Sequence, residues 1–219
     1  GLSQPVWDSL HATQEAELGE RIVMATGLGM TESAPSAMFV NSIDVKAGDI
    51  GAPVPGMTLK LVPVDGKTEV RYRGPNVTPG YWRTDAATRD AFDEEGYLCT
   101  GDAVLWIDPD NIHRGLKFDG RIAEDFKLST GTFVSVGPMR AKAIMAGSPY
   151  VQDVVLTGLN MKEVGALIFP APACREVSGL GADASMNEVL ASTPVRQRIQ
   201  AIIDQLARES TGSASRIAR

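Results

Sequence analysis

Phe118-Asp119-Gly120-Arg121-Ile122-Ala123-Glu124-Asp125-Phe126-Lys127-Leu128-Ser129-Thr130-Gly131-Thr132-Phe133-Val134 joins two segments of different character. The sequence before it is turn-rich and strand-like; the sequence after it mixes short strands with helices. A glycine and a permanently charged arginine mark the seam, followed by two acids, a lysine and a second glycine, so mobile backbone and both signs of charge share one connector. A hinge beside an anionic ligand has this composition. So does a charged hairpin, with alternation through Ile122, Glu124 and Phe126, a turn at residues 129–131 and a return through Thr132, Phe133 and Val134. Both readings stand at this point.

Upstream, residues 4–18 read as a helix, with Pro5 in its first turn and Val6, Leu10 and Leu18 on its apolar face. Residues 21–26 read as a short apolar strand, and Gly27-Leu28-Gly29-Met30-Thr31-Glu32-Ser33 as a small-residue loop at its carboxyl end, where open α/β sheets bind ligands. In that loop Gly29 lets a ligand approach the backbone. The Thr31 hydroxyl can meet a phosphate oxygen, and the Glu32 carboxylate can hold Mg²⁺. A strand-ending turn with a solvated glutamate explains the same residues. From Asp49 to Phe118 the pattern is β: strands at 58–64 and 68–73 flank the hairpin signal Asp65-Gly66. The stretch Gly74-Pro75-Asn76-Val77-Thr78-Pro79-Gly80-Tyr81-Trp82 reads as scaffold, with Tyr81 and Trp82 supplying buried area. Thr84 caps a short helix. In Gly96-Tyr97-Leu98-Cys99-Thr100-Gly101-Asp102 an exposed aspartate after a glycine can accept two hydrogen bonds from vicinal ribose hydroxyls, or simply terminate a Gly-Asp turn. Residues 103–108 and 112–118 complete a second hairpin.

Downstream, residues 138–145 read as a helix, 151–157 and 163–169 as strands, and 187–209 as one long amphipathic helix, a small α+β pattern. The 219 residues, 43% hydrophobic and 22% charged, are ordinary globular composition. A net charge of -6 without a local basic patch argues against nucleic acid as partner and for small molecules. Cys99 and Cys174 have no metal or disulfide spacing. His11 and His113 are the only histidines and no Gly-x-Ser-x-Gly turn occurs, which disfavours a hydrolase. No apolar run is long enough for a membrane span and no signal peptide opens the chain, so a cytoplasmic protein is expected by default. A homodimer is left open.

Four motifs in order, Gly29-Met30-Thr31-Glu32, Glu69 to Trp82, Tyr97 to Asp102, and Gly120-Arg121 with its sequel, resemble the adenylate-forming enzymes: acyl-CoA synthetases, luciferase and the adenylation domains of peptide synthetases. The resemblance implies the end of a large α/β domain with a β-barrel-like subdomain, followed by a small α+β carboxyl-terminal domain. Residues 1–119 would be the large-domain portion (α/β piece 1–48, β-rich subdomain 49–119) and 120–219 the mobile small domain. It implies ATP-dependent activation of a carboxylic acid to an acyl-adenylate, then thioester formation with coenzyme A as co-substrate. Gly29, Asp102 and Arg121 would bind the nucleotide, Thr31 and Glu32 would serve phosphate and Mg²⁺, and Lys127 matches a lysine near the adenylate in some members, or is a solvated strand lysine. Two departures stand out. Leu28 replaces the aromatic residue that usually precedes the glycine, and Ala123 occupies the position of the usual hinge acid or lysine. Residues 120–140 look most like feruloyl-CoA synthetases, which activate aromatic acids. The family's upstream phosphate loop and its terminal adenylation lysine are missing between Gly1 and Arg219. The expectation is therefore a carboxyl-terminal portion of a larger ligase, inactive by itself; the competing expectation is a non-catalytic nucleotide-binding or assembly module.

Overall fold

A computed structural model describes residues 4–40, 42–210, 212 and 216–218. Two compact units divide between Ala123 and Glu124. In the first, α1 (Gln4–Leu18) precedes β1 (Gly27–Leu28), β2 (Met38–Phe39), β3 (Asp49–Pro53), β4 (Thr58–Val64), β5 (Lys67–Arg73), α2 (Asp85–Ala91), β6 (Leu98–Trp106) and β7 (Leu116–Arg121). The strands form one seven-stranded sheet in the order β1-β2-β3-β7-β6-β5-β4, every neighbouring pair antiparallel.

The β4–β5 hairpin runs from Thr58↔Arg73 to Val64↔Lys67 without interruption. Its turn residues Asp65 and Gly66 both have positive φ, 49° and 84°, the backbone that a two-residue hairpin loop matched to strand twist demands. One sheet face buries Met38, Ile50, Val70, Tyr72, Val104 and Leu116, with Leu28 packed against them. Leu28 is therefore part of the core's margin, which accounts for an aliphatic residue there.

Helix α1 forms over the expected span but buries a different face. Val6, Leu10 and Leu18 are exposed, while Trp7 and His11, one turn apart, are buried. Trp7 packs on Val40 and Val45, its Nε1 donating to the Val45 carbonyl at 2.7 Å, and the Ala47 amide donates to Gln4 Oε1 at 2.9 Å. Burying an indole while satisfying its N–H contributes about 2–3 kcal/mol, more than the scattered aliphatics of the other face offer. Residues 21–26 carry no strand; Ile22 and Val23 are exposed, and Met24 packs against the Trp7 cluster. The Gly27–Ser33 loop thus follows no parallel strand; β1 is an antiparallel partner of β2.

In the second unit β8 (Phe126–Lys127) and β9 (Phe133–Val134) form a hairpin, followed by α3 (Val136–Gly147), the antiparallel pair β10 (Val151–Thr157) and β11 (Gly165–Pro170), then α4 (Cys174–Ser178), α5 (Met186–Ala191) and α6 (Thr193–Arg208). The hairpin is shorter than the alternation predicts, since Ile122–Glu124 is a 3₁₀ turn. Leu128, Val134, Val154, Leu156, Ile202 and Leu206 share its core. The single helix expected over 187–209 is broken: Ser192 is extended (φ -64°, ψ 140°) and closes α5 while opening α6. Pro194 explains the break, lacking an N–H and clashing with the carbonyl four residues back had the helix continued. Ser185 and Glu188 form a capping box on α5.

Candidate functional site

The Thr-Gly-Asp motif is not a turn but the middle of β6, and its glycine makes a bulge there. Against β5, Glu69 pairs with Ala103 and Arg71 with Cys99, so residues 100–102 face Val70 alone. Gly101 supplies the left-handed backbone this needs, with φ 69°. A second bulge answers it in β7. Asp102 pairs with Arg121 and Val104 with Phe118, so Asp119 and Gly120 (φ 89°) face Ala103 together. Two bulges on adjoining strands thus bring the acid and the arginine opposite each other, and Arg121 Nε donates to Asp102 Oδ1 at 2.9 Å. The Asp102 side chain is 6% exposed and that of Arg121 50%: the expected exposed aspartate is buried, and its charge reaches the surface through a half-exposed guanidinium.

Strand β5 supports both bulges from one face, because Lys67, Glu69 and Arg71 alternate along it. Glu69, buried, accepts the Gly101 amide on Oε1 at 2.8 Å and Arg71 Nε on Oε2 at 2.8 Å. Lys67 Nζ donates to the Asp119 carbonyl at 2.6 Å and lies 3.4 Å from Asp119 Oδ2. Thr100 Oγ1 donates to the Val70 carbonyl and accepts the Asp102 amide at 3.0 Å. Beyond Arg71 the charges continue: Asp93 holds Arg71 Nη1 at 3.2 Å and Lys60 Nζ at 3.0 Å, and its other oxygen accepts the amides of Glu95 and Tyr97. Burial alone would raise the Asp93 carboxyl, but these donors outweigh it and hold it well below the usual carboxylate range. Tyr72 sits fully buried on the opposite face of β5, and burial, with the Asp102 charge adding, pushes its phenol up. Glu69 and Arg71 fall in the motif expected to be scaffold, and Lys67 lies just outside it. The signal for their supporting role was present as the polar half of the Lys67-Thr68-Glu69-Val70-Arg71-Tyr72 alternation.

The Gly29–Glu32 loop is a second cluster. A Cβ at Gly29 would lie 1.5 Å from the Pro35 carbonyl oxygen, so glycine is required there by the loop's own closure. Thr31–Ser33 is a 3₁₀ turn closed by buried Ser33, whose Oγ accepts the Met30 amide and donates to the Met30 carbonyl, both at 3.0 Å. Residues 76–81 clamp it. Asn76 Nδ2 donates to the carbonyls of Ser33 and Ser36, the Thr78 amide to the Glu32 carbonyl at 2.8 Å, and the Tyr81 hydroxyl to Glu32 Oε1 at 2.8 Å. The carboxylate that accepts from the Tyr81 phenol also raises its pKa, with burial and the same charge adding. The Gly74–Trp82 stretch is scaffold in a different sense from that expected: Tyr81 is exposed and Trp82 is 85% exposed, and the contribution of Tyr81 is its contact to Glu32, not buried area. Thr84 stands at the start of α2, yet its hydroxyl donates to the Trp82 carbonyl rather than capping the helix. Thr31 is exposed.

Lys127 lies exposed on β8 in the second unit, where its carbonyl accepts the Asn160 amide at 3.1 Å. Of the two acids that follow Arg121 in the connector, Asp125 anchors a helix start. Its Oδ1 accepts the Val136 amide at 2.7 Å, satisfying one of the open N–H groups that begin α3. Among the described residues no cluster of three His, Cys, Asp or Glu side chains could hold a metal, and no helix is long and apolar enough to cross a membrane.

No protein-family model matches the sequence. Human long-chain-fatty-acid–CoA ligase 1 is 30% identical over 195 residues, covering 84% of this chain and 27% of that protein. The crystal structure of the adenylation domain of a carboxylate reductase from Mycobacterium chelonae superposes with a TM-score of 0.68 at 25% identity, over 99% of this chain and 31% of that one. The corresponding domain from Segniliparus rugosus, solved with AMP and a co-purified carboxylic acid, gives a TM-score of 0.64 at 22% identity over 95% of this chain and 31% of that one, a likeness of fold. The chain is related to ATP-dependent acid:CoA ligases and adenylation domains of the adenylate-forming superfamily, and it spans about a quarter of the length of the curated relatives it matches.

Proposed function

We propose that this relative of the adenylate-forming enzymes is the carboxyl-terminal portion of an ATP-dependent acid:CoA ligase, its first unit carrying part of a nucleotide site and its second unit the mobile small domain. The observation that carries the reading is the Asp102–Arg121 pair set by two facing bulges. A buried carboxylate beside a half-exposed guanidinium can take two vicinal hydroxyls of a ribose, one charge accepting and the other donating. Arg121 moves its donors from Asp102 toward the sugar as the ligand arrives. Strands 49–121 would then belong to a barrel-like subdomain of the parent.

The Gly29–Glu32 loop suits the phosphates and their cation. Glu32 gives one oxygen to Tyr81 and keeps a second hard oxygen, which would hold Mg²⁺ together with phosphate oxygens. When bound, the metal would neutralise charge on the ATP phosphates. Thr31, exposed beside Glu32, places a hydroxyl where a phosphate oxygen can accept from it. Lys127, carried by the second unit, would serve near the adenylate. Coenzyme A is the thiol acceptor, and the acid is aromatic by the likeness of residues 120–140 to feruloyl-CoA synthetases.

Calorimetric titration with AMP tests the reading. Asp102→Ala and Arg121→Ala should each weaken AMP by about tenfold or more, the usual effect of losing a hydrogen bond to a charged group; unchanged affinity in both removes the ribose assignment. The 219-residue chain should release no pyrophosphate with ATP, an aromatic acid and coenzyme A, whereas turnover by it would overturn the expected inactivity.

A further inference from the structure

We propose that Lys67 is a positioning residue for the nucleotide site, setting the distance between Arg121 and Asp102; the inference rests on the reading of that pair as a ribose site. Three observations carry it. The Lys67 side chain is 6% exposed and its Nζ meets both the carbonyl (2.6 Å) and the carboxylate (3.4 Å) of Asp119. Asp119 is the first residue of the β7 bulge, where two residues face one. The bulge is what puts Arg121 in register with Asp102, because bulges re-aim the side chains that follow them.

Lys67 is itself anchored. It closes the Asp65-Gly66 turn opposite Val64, so its backbone cannot drift along the sheet without breaking seven paired positions of the β4–β5 hairpin. From there the four-carbon stem carries the ammonium across β6 to β7. An ammonium buried this deeply is stable only while paired, and the Asp119 carbonyl and carboxylate are among its partners. Glu69, two residues along the same face, does the equivalent for the β6 bulge through the Gly101 amide. One strand therefore fixes both halves of the site, the acid's bulge through a carboxylate and the arginine's through an ammonium.

The test compares Lys67→Met, Lys67→Arg and Arg121→Ala by two readouts. The first needs no nucleotide: ¹⁵N spectra of the guanidinium, where the Arg121 Nε–H bonded to Asp102 should exchange slowly in the wild type and in Lys67→Arg and lose that protection in Lys67→Met. The second is affinity for AMP against 2′,3′-dideoxy-AMP. Lys67→Met should weaken AMP by about tenfold, leave the dideoxy analogue unchanged, and add nothing to Arg121→Ala. Retained Nε–H protection in Lys67→Met overturns the proposal, as does an equal loss for both nucleotides that adds to Arg121→Ala, the mark of general destabilisation. Lost protection in Lys67→Met with no wild-type preference for AMP over the analogue upholds the positioning role while removing the ribose reading beneath it.

Discussion

The Glu69 carboxylate accepts the Gly101 amide and the Arg71 Nε at 2.8 Å each, one oxygen apiece, joining a backbone distortion to an ion-pair chain. Removing it strands the Gly101 amide and leaves the Arg71 guanidinium to Asp93. Glu69→Ala should therefore destabilise the first unit by about 3 kcal/mol, in the range of a broken buried pair. Glu69→Gln keeps an acceptor for the amide and should cost roughly half as much. Urea midpoints of the two variants measure the difference; equal losses would mean that the charge, not the acceptor, holds the bulge.

Two glycines of the candidate site should respond differently to alanine. A Cβ at Gly29 meets the Pro35 carbonyl at 1.5 Å, while one at Gly101 meets nothing within 4 Å and suffers only from φ 69°. Gly101→Ala should cost about 1–2 kcal/mol of backbone strain. Gly29→Ala must displace the loop that carries Thr31 and Glu32, at roughly 3 kcal/mol or more. Thermal melts rank them, and a milder effect at Gly29 would show that the loop yields freely.

Asp93 governs the acid limb. Its folded-state pKa is depressed by the Tyr97 and Glu95 amides and by Lys60 and Arg71, against the opposing effect of burial. A group depressed in the folded state stabilises above its unfolded value and loses that contribution as pH falls through its folded value. Stability should thus decline from about pH 4 downward, and Asp93→Asn should be less stable at neutral pH with a flatter acid limb. Unfolding free energies of both proteins between about pH 2 and pH 7 decide it; parallel curves would assign the acid limb to other carboxylates.

Local chemistry made much of the fold legible. Asp65-Gly66 marked a two-residue turn, and the flanking alternation fixed β4 and β5 to within a residue at each end. Failures came where packing chose among local options. Trp7 displaced Val6 and Leu10 from the inner face of α1, and Pro194 cut a periodicity that Leu190, Ile199 and Ile202 alone made continuous. Asp102 and Arg121 could be named from motif order, but the sequence was silent on how residues 19 apart in the chain meet. That depends on two bulges, and a bulge is visible only as a register shift between strands. Lys67 and Glu69 were hidden for the same reason: charged residues alternating along a strand read as a solvated face until the partners they reach across the sheet are known.

Tyr72 gives the sharpest contrast with the satisfied polar groups around it. Its hydroxyl has no hydrogen-bond partner among the described residues, yet the ring is among the largest fully buried side chains of the first unit, packed with Met38, Val70 and Leu116. A buried hydroxyl left unsatisfied carries a desolvation penalty of about 1–3 kcal/mol, whereas the ring keeps its packing when the oxygen is removed. Tyr72→Phe should leave stability unchanged or raise it by up to about 1 kcal/mol, and AMP affinity should stay at the wild-type value. A loss of more than about 1 kcal/mol in unfolding free energy would mean the phenol is satisfied in solution, by an ordered water within reach of the Asp102 charge that already bears on it.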